Sequence, residues 1–315
     1  MPALKPSLCS GLTEENVKIL KSHNITTVEN LLCIDSEELT AKCEIPYKEV
    51  VGIKKILLAQ YSAFPVTGKE LYEDALKVTS ILPTGIRGID QLLEGGFYSC
   101  EVTELFGGAG VGKTQICLRC CVTVPMETGQ NVIYMDTGGS FCCHWLQNYL
   151  QQLDTNEEII RDTCRRVRCV QIFDIFELLK CLNELKTKLN EQTDPFLNGV
   201  KLLIIDCVTA VISPHLGGKQ TDGHGLMMNL ARLMKTLAVE NSLAVVVTNN
   251  AVQSESANSR PSLGSSWLSV PNVRVEIVTN KRIGVKTGAV SRQCVIRKSL
   301  RQKCGSSRQL DLSYV

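Results

Sequence analysis

The sequence predicts an α/β core built on a parallel, twisted sheet, preceded by a small all-α domain. Three observations point there. Five apolar runs alternate with amphipathic stretches after about residue 81, which is the pattern of buried parallel strands with helices on both faces. A glycine-rich loop of the form G-x-x-x-x-G-K-[ST] joins the first run to the following helix. A proline interrupts the chain between helical segments and the first strand.

Residues 1–60 read as short helices. Thr13 is placed to cap a helix that starts with Glu14-Glu15, and Val17, Ile19, Leu20, Val28, Leu31 and Leu32 recur near helical spacing. Val50–Leu58 reads as another helix. The segment has no chemistry of its own and suits an interaction module. Residues 61–80 contain Phe64-Pro65-Val66-Thr67-Gly68, which cannot continue a helix, and are read as a linker. The core then occupies 81–315. Its strands are Val102–Phe106, Asn131–Met135, Arg168–Phe173, Val200–Ile205 and Leu243–Thr248, with helices at Phe176–Leu189 and Leu226–Val239.

Composition sets outer limits. Of 315 residues, 44% are apolar and 21% charged, which excludes a wholly disordered chain or a fibrous rod. No apolar run approaches the ~18 residues of a membrane span, and no secretory leader is evident at the start. The net charge of +2 implies no polyanionic partner by itself, but residues 281–310 carry nine basic residues and no acid. Such a run is a solvated face, a nucleic-acid contact or a nuclear address. Fifteen cysteines at irregular spacing, without a leader, read as free thiols in a reducing compartment. Cys117, Cys120 and Cys121 fall on one face of a helix and read as small core hydrophobes rather than zinc ligands.

The chemistry concentrates at Gly107-Gly108-Ala109-Gly110-Val111-Gly112-Lys113-Thr114. Glycines let backbone N–H groups turn toward a polyphosphate, and the helix start adds its positive end. Lys113 suits the β- and γ-phosphates and the Thr114 hydroxyl suits Mg²⁺. The strand Lys201–Ile205 ends in Asp206, the place for an acid beside the metal.

Beyond these motifs, Thr84–Gly96, Lys113-Thr114-Gln115, Asp206–Ala210, Leu230-Ala231-Arg232 and Val245–Asn250 resemble the RecA/Rad-type recombinases over roughly residues 81–280. The helical N-terminal domain is similar to that of the eukaryotic and archaeal members. The resemblance implies a RecA-like P-loop core that takes ATP and Mg²⁺ on residues 107–114 and Asp206, with Asn250 where the family senses the γ-phosphate. It implies DNA-facing loops at about 213–225 and 251–267, offering Lys219 and Arg260, with Lys281 and Arg282 of the basic run adding charge. It also implies partner capture through the linker, by Phe64 and Val66, where the family's phenylalanine–x–x–alanine segment is changed to Phe64-Pro65-Val66-Thr67.

One departure alters the expected chemistry. After the strand that follows the P-loop helix, the family places a glutamate that orients the attacking water. Here the run is Met135-Asp136-Thr137-Gly138, and glycine stands at that position. Nucleotide binding is therefore expected without rapid hydrolysis, Asp136 or a residue of a partner subunit being the groups that could substitute. The expected function is an ATP-binding subunit of a heteromeric recombinase-paralogue complex, nuclear, acting on single-stranded or branched DNA in recombination repair. Two alternatives differ in class: a self-sufficient DNA-dependent ATPase with strand-exchange activity, and a small-molecule P-loop kinase. The missing glutamate counts against the first and the lack of lid arginines against the second.

Overall fold

The computed structural model describes residues 3–62, 65–153, 155–192, 194–217, 221–253, 259–280 and 291–312. The chain divides into two compact units, Met1–Asp74 and Ala75–Val315.

The first unit holds helices α1 (Glu14–Ser22), α2 (Val28–Cys33), α3 (Ser36–Cys43) and α4 (Tyr47–Tyr61). Their starts are written in the sequence. Thr13, Thr27 and Asp35 each accept a backbone N–H from the first turn, satisfying donors that have no intrahelical partner. Leu12, Leu20, Val28, Leu39 and Leu57 fill a separate small core.

Part of the stretch read as a linker is helical: α5 spans Gly68–Val78. Thr67 and Glu70 form a reciprocal cap, with Glu70 Oε2 accepting from Thr67 N at 2.8 Å and Thr67 Oγ1 accepting from Glu70 N at 3.2 Å. Helix α4 ends at Tyr61, ahead of Pro65, and the chain restarts a helix at Gly68, three residues past that proline. No residue of α5 is buried, and Leu71, Tyr72 and Leu76 are exposed.

In the second unit, β1 (Ile81–Leu82) pairs with β2 (Phe97–Tyr98) around α6 (Arg87–Leu92). The main sheet has the order β11-β10-β9-β3-β7-β6-β4-β5. Its parallel part comprises β3 (Val102–Gly107), β4 (Asn131–Asp136), β5 (Val167–Gln171), β6 (Val200–Asp206), β7 (Ala244–Gln253) and β9 (Val273–Asn280). Strand β8 (Ser259–Pro261) folds back on β7, while β10 (Ser291–Lys298) and β11 (Ser307–Leu310) extend the sheet antiparallel. These last strands were not read from the sequence, so the sheet is mixed rather than wholly parallel.

Helix α7 (Lys113–Thr128) packs on one face of the sheet with α8 (Cys143–Gln152), and Cys117, Cys120 and Cys121 are buried there. Helices α9 (Glu157–Arg165) and α11 (Pro195–Asn198) flank β5 and β6 in sequence. Helices α10 (Ile175–Glu191), α12 (Val208–Ile212) and α13 (Thr221–Glu240) cover the other face, with α14 (Gly264–Trp267) closing its end. Among the described residues, no helix is long and apolar enough to cross a membrane.

Candidate functional site

The sheet brings the predicted residues to the carboxyl ends of its central strands. β3 ends at Gly107, and the turn that follows delivers Lys113 and Thr114 to the start of α7. Gly112 shows why glycine is needed there. Its φ is +109°, and a Cβ would stand 2.4 Å from Leu312 Cδ1, so any side chain meets both strain and a clash.

Lys113 is buried, and its Nζ donates to the carbonyls of Gly107 at 2.9 Å and Gly108 at 2.8 Å. Burial lowers its pKa, partly offset by Cys207 and Asp206 nearby. An ammonium stripped of water and held only by neutral carbonyls is poised to exchange them for an anion.

Asp206 is almost fully buried at the end of β6. Three hydroxyls converge on it. Thr114 Oγ1 donates to Oδ2 at 2.7 Å, Tyr134 OH donates to the same oxygen at 2.7 Å, and Thr248 Oγ1 donates to Oδ1. Thr114 and Asp206 are thus in direct contact across 92 positions of sequence. They form an oxygen pair of the kind that Mg²⁺ takes, and with Lys113 they fit a nucleotide–metal complex. Sequence reasoning missed Tyr134 and Thr248. A tyrosine inside an apolar strand was the signal, since a buried phenol requires a partner.

The position opposite this pair is held by the turn after β4. Asp136 is fully buried, and its carboxylate accepts from the backbone of Gly138 at 3.1 Å, Ser140 at 3.1 Å and Phe141 at 2.9 Å. These three bonds shape residues 138–141. The expectation that Asp136 could stand in as a base is corrected here, because it is sealed from solvent and already committed. Gly138 itself is exposed, and a Cβ built there would meet nothing closer than Ser140 Oγ at 4.0 Å. Space for a side chain exists; the carboxylate does not.

Asn250, on β7, is exposed; its N–H donates to Thr209 Oγ1 at 3.2 Å and its carbonyl accepts from Ser262 N at 2.9 Å. These bonds fasten it to a buried network. Glu104 on β3 accepts from Asn249 Nδ2 and Trp267 Nε1, each at 2.7 Å, and pairs with Arg274. Asn249 Oδ1 in turn accepts from Thr209 and Ser262.

The remaining candidates are less gathered. Arg260 lies on β8, opposite Val252 of β7, and is exposed. Residues 221–225, read as loop, are the first turns of α13. Lys219, Lys281, Arg282 and Phe64 lie outside the described residues, and Val66 is exposed. Within the basic run, Arg297 pairs with Glu276, Arg301 pairs with Glu101 and stacks on Tyr98, and Lys298 Nζ donates to the Leu268 and Ser269 carbonyls. Part of that charge therefore serves the fold itself.

Strand, glycine turn, lysine and threonine at a helix start, and acid at the neighbouring strand end together define a P-loop α/β core. The comparisons with known proteins sharpen this. Residues 1–60 match the family described as RAD51D, N-terminal domain, and residues 76–301 match Rad51. The chain is 41% identical to DNA repair protein RAD51 homolog 4 of Mus musculus, over 99% of this chain and 95% of that protein. It is 30% identical to the probable DNA repair protein RAD51 homolog 4 of Dictyostelium discoideum, over 84% of this chain and 85% of that one. Identity to DNA repair and recombination protein RadA of Metallosphaera sedula is 25%, over 85% of this chain. The chain belongs to the Rad51 family, whose core is a nucleotide-binding ATPase fold.

Proposed function

We propose that this chain is an ATP- and Mg²⁺-binding subunit of a heteromeric recombinase-paralogue complex. It acts in the nucleus on single-stranded or branched DNA during recombination repair and hydrolyses ATP slowly when alone. The observation that carries the reading is the pairing of a complete phosphate and metal site with an empty base position. Lys113, Thr114 and Asp206 are brought together, while Gly138 offers no carboxylate and Asp136 is spent on its own turn. The names of the similar proteins, as DNA repair proteins, support the repair role.

Each residue then has a task. The backbone N–H groups of 107–114 and the start of α7 hold phosphate oxygens, and Lys113 leaves the Gly107 and Gly108 carbonyls for the phosphates. Thr114 would ligate the ion through its hydroxyl, and Asp206 would help hold it through water. Bound Mg²⁺ supplies charge neutralisation for the phosphates. With no base at 138, the bound nucleotide acts mainly as an ordering ligand. The network from Glu104 through Asn249 and Thr209 ties the strand entering the phosphate site to Asn250 on β7 and to Ser262 just past β8, in the stretch where the resemblance places a DNA loop.

Partner capture is supported by exposed strand edges and the changed linker. β5 pairs only with β4 among the described residues, and its outer residues are exposed, so an incoming strand can add to it. Val66 lies exposed beside the proline that displaces the family's linker pattern. DNA contact by one copy is weak, because Arg260 is the one described cation among those assigned to DNA. Affinity for a polyanion grows with the phosphates neutralised.

The test is to purify the chain alone and with its co-purifying partners and to measure MgATP binding and turnover on both. The reading expects binding by the lone chain with slow turnover, with or without single-stranded DNA. Rapid DNA-stimulated turnover by the lone chain favours the self-sufficient ATPase instead.

A further inference from the structure

The three hydroxyls on Asp206 are more than packing. Tyr134 lies in the middle of β4, in register with Ile204 of β6, which places its ring on the α7 face of the sheet. It is fully buried, and its hydroxyl donates to Asp206 Oδ2 at 2.7 Å. Its ring packs on Phe141 with centroids 4.9 Å apart, and Phe141 N is one of the donors to Asp136. Thr248 is also fully buried and reaches the other carboxylate oxygen from β7. Asp206 is thereby gripped from both neighbouring strands while Thr114 meets it from α7.

A carboxylate gripped on both sides cannot rotate freely about its Cβ–Cγ bond. The oxygen that Thr114 touches is fixed by Tyr134, and the second oxygen by Thr248. This matters for a hard cation that demands near-ideal placement of few oxygens. It does not matter for phosphate oxygens held by backbone N–H groups and Lys113.

We propose that Tyr134 and Thr248 are positioning residues for metal binding: they fix the Asp206 carboxylate against Thr114 and so set how much Mg²⁺ the chain needs to hold ATP. The inference rests on the reading of residues 107–114 and Asp206 as an ATP–Mg²⁺ site. If instead Tyr134 merely buries a phenol and finds a convenient acceptor, its hydroxyl affects stability alone.

The experiment titrates Mg²⁺ against the full-length chain at fixed ATP, following a fluorescent ATP analogue, and repeats the nucleotide titration in EDTA. Wild type, Tyr134→Phe, Thr248→Val and Thr248→Ser are compared, with thermal melts as a folding control. Loss of one hydrogen bond to a charged group predicts a rise of about tenfold in the Mg²⁺ needed for half-saturation in Tyr134→Phe and Thr248→Val. Affinity in EDTA should stay within about twofold, and Thr248→Ser, which keeps the hydroxyl, should behave as wild type. If Tyr134→Phe does not fold, the Thr248 pair decides the question alone. Wild-type Mg²⁺ dependence in folded Tyr134→Phe and Thr248→Val overturns the positioning role while leaving the site reading intact. Equal weakening with and without Mg²⁺ also overturns it. Failure of the wild type to bind ATP at any Mg²⁺ concentration overturns the site reading and this inference together.

Discussion

Gly138→Glu is expected to restore ATP hydrolysis to the isolated chain. Gly138 is exposed, its φ lies outside the left-handed region, and a Cβ there has 4.0 Å of clearance from Ser140 Oγ. A glutamate therefore enters without strain, and a surface change of this kind costs at most about 0.5 kcal/mol of stability. Its backbone N–H keeps the bond to Asp136 Oδ1. A well-placed general base contributes about 10²–10⁴-fold, or about 2.7–5.4 kcal/mol at 1.36 kcal/mol per factor of ten. The new carboxylate shares its neighbourhood with Asp136 and Asp206, and an inherited glycine site was not built to orient it. The lower end, about 10²-fold, is the expected gain. The assay is single-turnover hydrolysis of ATP by the purified variant, with Gly138→Gln as a control that keeps the length but not the base. If both variants bind MgATP and neither exceeds wild type, the missing carboxylate is not what limits turnover, and the reasoning fails.

Other perturbations test separate parts of the account. Lys113→Ala should weaken ATP binding at least tenfold in a direct titration, because one buried ammonium faces the phosphate site; unchanged affinity would remove Lys113 from it. Glu104→Ala leaves Arg274 buried without its partner and should cost about 3–5 kcal/mol in urea unfolding; a loss under about 1 kcal/mol would show that the network carries little. Burial pushes the Cys294 thiol up to about 11. Its thiolate is therefore scarce below that pH, and labelling by iodoacetamide at pH 8 should spare it while modifying exposed Cys33 and Cys304. Labelling should reach it only as pH rises toward 11 or the chain unfolds; rapid modification of Cys294 in the native chain at pH 8 contradicts its burial. Val170→Lys on the exposed edge of β5 should reduce co-purification of partners without altering ATP binding, and undiminished capture would exclude this edge.

Much of the site was legible because it is local. The P-loop is eight consecutive residues, and Asp206 ends a run too apolar to be anything but a core strand. The helix start at Thr13 announces itself through a side-chain acceptor just ahead of an acidic first turn. Gly138 marks a missing base only against the pattern of the family that the sequence resembles. What escaped was nonlocal or compensated. Val273, Val275 and Ile277 alternate with Arg274 and Glu276, which suggests a strand with a wet face, yet both faces are buried. Arg274 is neutralised by Glu104 and Glu276 by Arg297, partners 170 and 21 positions away. The grip of Tyr134 and Thr248 on Asp206 joins residues 72 and 42 positions distant, and periodicity holds no record of such pairs. Helix α5 is hard to read for another reason: Pro65 signals a break just ahead of the Thr67–Glu70 cap that starts it.

The central claim is that this chain keeps a working phosphate and metal site and lacks the group that drives water onto the bound nucleotide. Radiolabelled ATP mixed with a stoichiometric excess of the lone chain in Mg²⁺ tests both halves at once. Filter retention reports binding, and chromatography of the retained label reports its state. The account predicts that the label is held and stays triphosphate over many minutes. Label that passes through unbound, or that is retained already converted to diphosphate, would contradict it.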